Sequence, residues 1–238
     1  MYDLFMRFNF SFLMVFLVFV SAFSKEIHFS SCYKGYYFFI PVIKNCISYD
    51  EIDGRGRFTT HVNTIGFLKL FKDIKYVGLS ISKKDISKKF FFSQKEKDFS
   101  VEYWYEFLEG KILTKKTVKK NGKIKRITKV VDNKENYLDP FTASVVMFKS
   151  LKNKNQGFLK IFFNGKKYKI PYRISSQERL RLNGKYYSCY VIEIKPKIKG
   201  EGLIKTKGKW IVWAEKTTGF PVKVKAVFDK GIIYLNKE

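Results

Sequence analysis

Histidine, cysteine, proline and acidic residues are all scarce in this chain. Two His among 238 residues make most acid–base and metal-assisted active sites hard to assemble. His28 stands near the start and His61 lies in a strand-like run from Arg57 to Thr64. No HExxH, CxxC, GxSxG or GxxxxGK[ST] pattern occurs, and Gly54-Arg55-Gly56 reads as a turn without the context of a phosphate loop. Neither a metal nor a cofactor is therefore expected. Three Cys are too few for a disulfide scaffold, and five Pro exclude a collagen-like repeat. Asp and Glu number 21 against 47 Lys and Arg, which leaves a formal charge of +26.

What is present is apolar and aromatic. At 45% apolar and 18% aromatic, the chain can bury enough surface to offset its ordering entropy, so it folds rather than remaining a disordered tail. The charge has two readings. It is mostly Lys, and Phe, Ile, Tyr and Asn are also abundant, as A/T-rich coding would produce. Alternatively it serves an anionic partner, which requires clustering.

Residues Met1 to Ser24 carry Arg7, an apolar run from Phe10 to Val20, and small residues at Ala22 and Ser24. That order reads as a secretory signal cleaved after Ser24. The run is shorter than the roughly 20 residues of a membrane-spanning helix, which disfavours a retained anchor. No Cys follows the cleavage point to accept a lipid. Export to a periplasm of the Gram-negative type removes most of the case for nucleic acid. It favours anionic membrane surfaces or lipopolysaccharide as electrostatic partners. It also permits disulfides. Cys32 and Cys46 flank a bend near Phe39 to Pro41, so a hairpin centred there sets them opposite each other, either bridged or as two small buried hydrophobes. Cys189 is left over.

Alternating segments separated by turn residues predict half-buried antiparallel strands: Val101, Tyr103, Tyr105 and Phe107 in one, Val222, Val224 and Ala226 in another. Three Asn-Gly-Lys tripeptides, at Asn121, Asn164 and Asn183, predict two-residue hairpins, because both central positions need positive φ. The second of these sets Leu159, Ile161 and Phe163 on one face with Tyr168 and Ile170. The third puts Cys189 beside Leu180, Leu182 and Tyr187, as an inert buried thiol. The first spans Lys111 to Val131, with nine basic residues and no acidic one. Lys120 falls opposite Lys123, a repulsive pair, so the ribbon is expected to project into solvent. Lys119, Lys120, Lys123 and Lys125 are its candidate contacts with an anionic surface; the plainer reading is an edge guarded by Lys against aggregation.

Two stretches look helical. Ile65 to Phe71 would set Phe67, Leu68 and Phe71 on one face. The stronger candidate has Asp139 as N-cap and Pro140 at the first position, and runs to Leu151. Its apolar face would be Val145, Phe148 and Leu151, with Phe141 and Val146 alongside. The polar segment 132–139 reads as a linker between halves 25–131 and 140–238 of one β-rich domain, 25–238. Glu102 and Glu106 share a strand face, more simply as a salt-bridged surface than as a paired-carboxylate site. Trp210 and Trp213 differ by an odd number of residues and so face opposite sides of a strand. Core packing is the simpler role for each Trp.

Four segments together resemble a family of exported bacterial proteins, the domain of unknown function 3108. They are Tyr33 to Val42, with Phe39 where the family has Gly; Thr64 to Leu70; Leu138 to Ala143; and Pro196 to Gly208, with Lys199-Gly200-Glu201-Gly202-Leu203. The resemblance implies an all-β fold, a curved antiparallel sheet or half-barrel with a helix against its concave side, like periplasmic lipoprotein carriers. It supplies no catalytic residue. The expected function is non-enzymatic: an envelope protein holding an apolar or acylated ligand in the concavity, with Trp104, Phe148 and Trp213 as candidate contacts. The competing expectation is a structural or interaction module with a filled core, which binds protein or polysaccharide at its surface. A carboxylate hydrolase is a distant third.

Overall fold

A computed structural model describes residues 26–196, 208–228 and 231–238. The expected signal segment, Met1–Ser24, and residues 197–207 of the Pro196–Gly208 motif lie outside the described residues.

Strands dominate, as the alternation requires. In chain order they are β1 (Ile27–Tyr37), β2 (Ile40–Ile52), β3 (Arg55–Thr64), β4 (Lys75–Lys83), β5 (Ile86–Lys95), β6 (Phe99–Leu108), β7 (Lys111–Lys120) and β8 (Lys123–Asp132). Then come β9 (Gln156–Phe163), β10 (Lys166–Leu182), β11 (Lys185–Ile194), β12 (Trp210–Glu215), β13 (Pro221–Phe228) and β14 (Gly231–Lys237). All join one antiparallel sheet in the order β8-β7-β6-β5-β4-β3-β2-β1-β14-β13-β12-β11-β10-β9. Each half is a meander of neighbours, and β1 with β14 stitches the halves together through Tyr33 opposite Lys237. The three Asn-Gly turns have positive φ at both central residues, 49° and 77° at Asn121-Gly122, and each links its strands with two residues.

The helix α1 (Leu68–Phe71) is four residues long and buries none of them, so the expected apolar face of Phe67, Leu68 and Phe71 is not a packing face. Phe67, Leu70 and Phe71 are instead exposed. The helix α2 (Pro140–Ser150) starts where Asp-Pro predicts. Its N-cap, Asp139, is fully buried. One carboxylate oxygen accepts from the backbone N–H groups of Phe141 and Thr142, and the other from the hydroxyls of Ser80, Ser87 and Thr142. That network pins the helix start to β4 and β5. Gly78 makes room for it: a Cβ there would lie 2.4 Å from the Phe141 ring, which stacks on Phe58 at 4.8 Å. At the other end, Lys149 reaches Glu51 at 2.5 Å and Asp85 at 2.6 Å. Burial pulls the Lys149 ammonium down, but the two carboxylates more than offset it and leave its pKa raised.

The helix buries more of its girth than a single stripe. Ala143, Met147 and Leu151 pack with Leu159, Ile161, Ile170, Ile192 and Val212, while Val145 joins Phe29, Tyr49 and Phe220 in a second cluster. Of the expected face, Val145, Phe148 and Leu151, with Phe141 alongside, do pack, but Ala143 and Met147 were not among it. The reason is that the sheet curls round α2 and covers it from two sides.

The sheet is not closed by hydrogen bonds, because β8 and β9 stand at opposite ends of the order. It is closed by overlap. Leu159 and Ile161 of β9 face α2, while Phe162 of the same strand is buried among Phe90, Tyr105 and Phe107, ring to ring with Tyr105 at 5.1 Å. One edge is thus tucked inside the other. The segment 132–139, read from sequence as a linker, takes part in this closure. Leu138 bridges to Ile161, Asn133 holds the Tyr137 backbone in both directions, and Asn133, Tyr137 and Asp139 are buried.

Candidate functional site

The register assigns a face to every strand residue. Inward, toward α2, point Phe29, Ser31, Tyr33 and Gly35 of β1 and their partners Tyr49, Ile47, Asn45 and Ile43. The same face continues through Phe58, Thr60 and Val62 to Ser80, Gly78 and Tyr76, and on to Phe90, Phe92 and Gln94. The helix covers only the half of this face nearest the turns at Asp53-Gly54 and Lys84-Asp85, where Glu51 and Asp85 hold Lys149. The helix crosses the strands, from Ser80 and Ser87 at its start to Phe29 and Phe220 further along, and a helix about 10–12 Å across covers only part of a strand about 36 Å long, so an uncovered stretch remains. There Ile43, Val62, Tyr76, Ile233 and Leu235 are half-buried and lie outside the three buried clusters. Ile43 and Leu235 converge over Gly35, where a Cβ would fall 2.3 Å and 3.0 Å from their side chains. Burial raises the Tyr76 hydroxyl pKa, helped by nearby Glu96. With Asn45 opposite Val62 and Gln94 opposite Tyr76, this stretch is a mainly apolar trough of the concave face, bounded at one end by α2.

The three residues expected to contact a ligand do not meet in it. Trp104 lies on the opposite, convex face, half exposed beside Phe91, in a cleft of about 360 Å³ with Glu106, Leu113 and Lys115. Trp213 is also on the convex face, where its indole N–H donates to Glu178 at 2.9 Å and Lys223 lies over its ring. Phe148 belongs to the core, next to Phe220. Trp210 faces inward and donates to Val227 O, so the two neighbouring Trp do take opposite sides. Glu102 and Glu106 share the convex face with Trp104. Among the described residues no group of three or more His, Cys, Asp or Glu could hold a metal.

The basic ribbon is not an arm. The strand β7 pairs with β6 along its full length, from Leu108 opposite Lys111 to Phe99 opposite Lys120, and Ile112 is fully buried. Only β8 is an edge. The expected projection into solvent fails because Ile112, Thr114 and Val118 alternate and give β7 an inner face. Lys120 does sit opposite Lys123, and the four candidates divide. Lys120, Lys123 and Lys125 share the inner face, whereas Lys119 is on the convex one.

Cys32 and Cys46 are directly opposite across β1 and β2 and are joined, with Cα atoms 4.0 Å apart. Cys189 is fully buried, and burial pushes its thiol up to about 11, with Glu215 and Glu178 adding to the shift. It is an inert thiol.

An open, overlapped antiparallel barrel with a helix plugging one end is the class of protein that this fold defines. The chain belongs to the DUF3108 family of proteins of unknown function, whose model matches residues 32–236. Among solved structures it is similar to a β-barrel-like protein of the DUF1849 family from Brucella abortus. The TM-score is 0.60 at 8% identity, over 91% of this chain and 98% of that one. That likeness concerns the fold alone. A DUF1329 family protein from Desulfovibrio piger ATCC 29098 aligns over 91% of this chain and 85% of its own, at 11% identity and a TM-score of 0.24. A comparison with curated proteins finds no match.

Proposed function

We propose that this protein is a non-enzymatic component of the cell envelope that holds an apolar or acylated ligand in the trough beyond α2. The observation that carries the reading is the half-buried apolar lining of Ile43, Val62, Tyr76, Ile233 and Leu235 on the same face that α2 covers elsewhere. Sites for such ligands are concave, largely apolar and pre-formed. An exported, periplasmic setting, with the segment to Ser24 removed, is part of the proposal, as is a Lys-rich surface that favours anionic membranes or lipopolysaccharide.

The second reading, an interaction module of the periplasm with a filled core, draws on the packing of α2, which occupies half of the concave face. Native mass spectrometry of the protein taken from its own envelope separates the two. The proposal expects a bound lipid or fatty acyl mass, and expects the stripped protein to take up a fluorescent fatty acid. Val62→Arg with Leu235→Arg should abolish that uptake while α2 stays packed. Protein that carries no added mass and takes up no fatty acid would establish the second reading.

A further inference from the structure

Four connections meet at the end of the sheet remote from α2: the β1–β2 turn at Phe38 and Phe39, the 65–74 connection with α1, the β5–β6 turn 96–98, and the Asn121-Gly122 turn. Contacts fuse them into one rim. Ile65 N–H donates to Val42 O at 2.9 Å, Lys72 pairs with Glu96 at 3.2 Å, and Asn121 N–H donates to Asp98 O at 3.1 Å.

The rim carries apolar side chains with little cover. Phe39 is 96% exposed, Phe38 74%, Leu70 80% and Phe71 72%. Phe39 also has φ 147°, in a backbone region that glycine occupies readily and an L side chain does not. Folding offers nothing in return, because the ring is not buried. A large aromatic held in a strained turn and in water is a cost to the isolated molecule, and its use lies outside it. Behind α1 the rim forms a cleft of about 770 Å³ lined by six Lys, among them Lys69, Lys97 and Lys120, against three carboxylates, Asp73, Glu96 and Asp98.

We propose that this rim docks on an anionic lipid bilayer, with Phe38, Phe39, Leu70 and Phe71 entering the headgroup layer and the surrounding Lys held against lipid phosphates. Aromatic and aliphatic tips ringed by Lys match both layers of such a surface. A second copy of the chain would bring the same positive charge to the contact. The proposal deepens the reading above, since it sets the mouth of the trough against lipid. Its test is vesicle binding rather than a co-purified mass, so either can fail alone.

The test is co-sedimentation with phosphatidylcholine vesicles, with and without phosphatidylglycerol. Parent and variants are used in the form their host accumulates, with the same amino terminus. The parent should bind the anionic vesicles and release them as salt rises. Phe39→Gly and Phe71→Ser should each weaken binding about tenfold. Phe39→Gly should at the same time raise Tm, because it relieves the turn. Val130→Ser, at an exposed apolar position on the distant face of β8, should change nothing. In Phe39→Trp the indole emission should shift to the blue on vesicles and be quenched by brominated lipid. Equal binding by parent and Phe39→Gly, an unshifted indole, or equal loss in Val130→Ser would overturn the proposal. So would a dimer dissolved by Phe39→Gly without any vesicle binding, which would make the rim a contact between copies.

Discussion

The Asp139 carboxylate shows how far one residue can be read from sequence. Asp before Pro identified the cap, but Ser80 and Ser87, whose hydroxyls complete its shell, are 59 and 52 residues away and leave no local signal. Burial raises its pKa, and hydrogen bonds from Ser87, Thr142 and Ser80 oppose the shift without cancelling it. With the folded pKa raised, the folded state retains the proton more than the unfolded chain does. Asp139 therefore contributes most stability below its unfolded value of about 3.9, and that contribution is lost as pH rises through the folded value. Asp139→Asn should flatten the pH dependence of Tm by removing this decline. Asp139→Ala should cost about 3 kcal/mol in urea denaturation, because a cap is lost and buried hydroxyls are left without their acceptor. Phe39 is a case of the opposite kind. Nothing in the local sequence marks it, and only the backbone angle reveals what an aromatic side chain costs there.

Hairpins were the most legible elements, since Asn-Gly at a two-residue spacing dictates turn type, register and facing together. The basic ribbon was misplaced for a related reason. Among its many Lys runs the period-2 series Ile112, Thr114, Val118, which lets β7 join the sheet. Its Lys side chains are nonetheless exposed at positions 119, 120, 123 and 125. Each held near an anionic surface contributes about 1 kcal/mol, decaying over a Debye length of about 10 Å at 0.1 M salt. Changing all four to Gln should weaken binding to anionic vesicles strongly at low salt and little at high salt, and leave Tm nearly unchanged. A fall in Tm would mean that the Lys stems pack on the sheet. The trough was illegible at this scale, because alternation assigns Val62 and Tyr76 to a face but says nothing of how far along it α2 extends. The rim was misread, since Phe67 and Phe71 have helical spacing but no neighbour to bury them.

At the scale of the whole molecule, the curved all-β architecture with one packed helix was readable from strand periodicity, a single good cap and the family resemblance. The manner of closure was not. A period-2 pattern predicts that Leu159, Ile161 and Phe163 of β9 are buried and Phe162 is not, yet Phe162 is fully buried because the opposite edge of the sheet folds over it. Phe162→Ala should therefore cost about 3–5 kcal/mol in chemical denaturation, a core-sized penalty at a position that alternation assigns to solvent. A cost below about 1 kcal/mol would mean that the overlap contributes no packing. The pairing of β1 with β14 has a consequence in time. Every other strand pair forms between sequence neighbours and can zip as a hairpin, but this one closes a loop of some two hundred residues, from Tyr33 to Lys237. Loop closure over such a span is slow, and it waits until the last strand has been synthesised. Until then the finished meander β1–β8 carries a bare edge at β1, where β14 will dock. That interval, rather than the finished fold, is when the molecule is most open to pairing with the wrong neighbour.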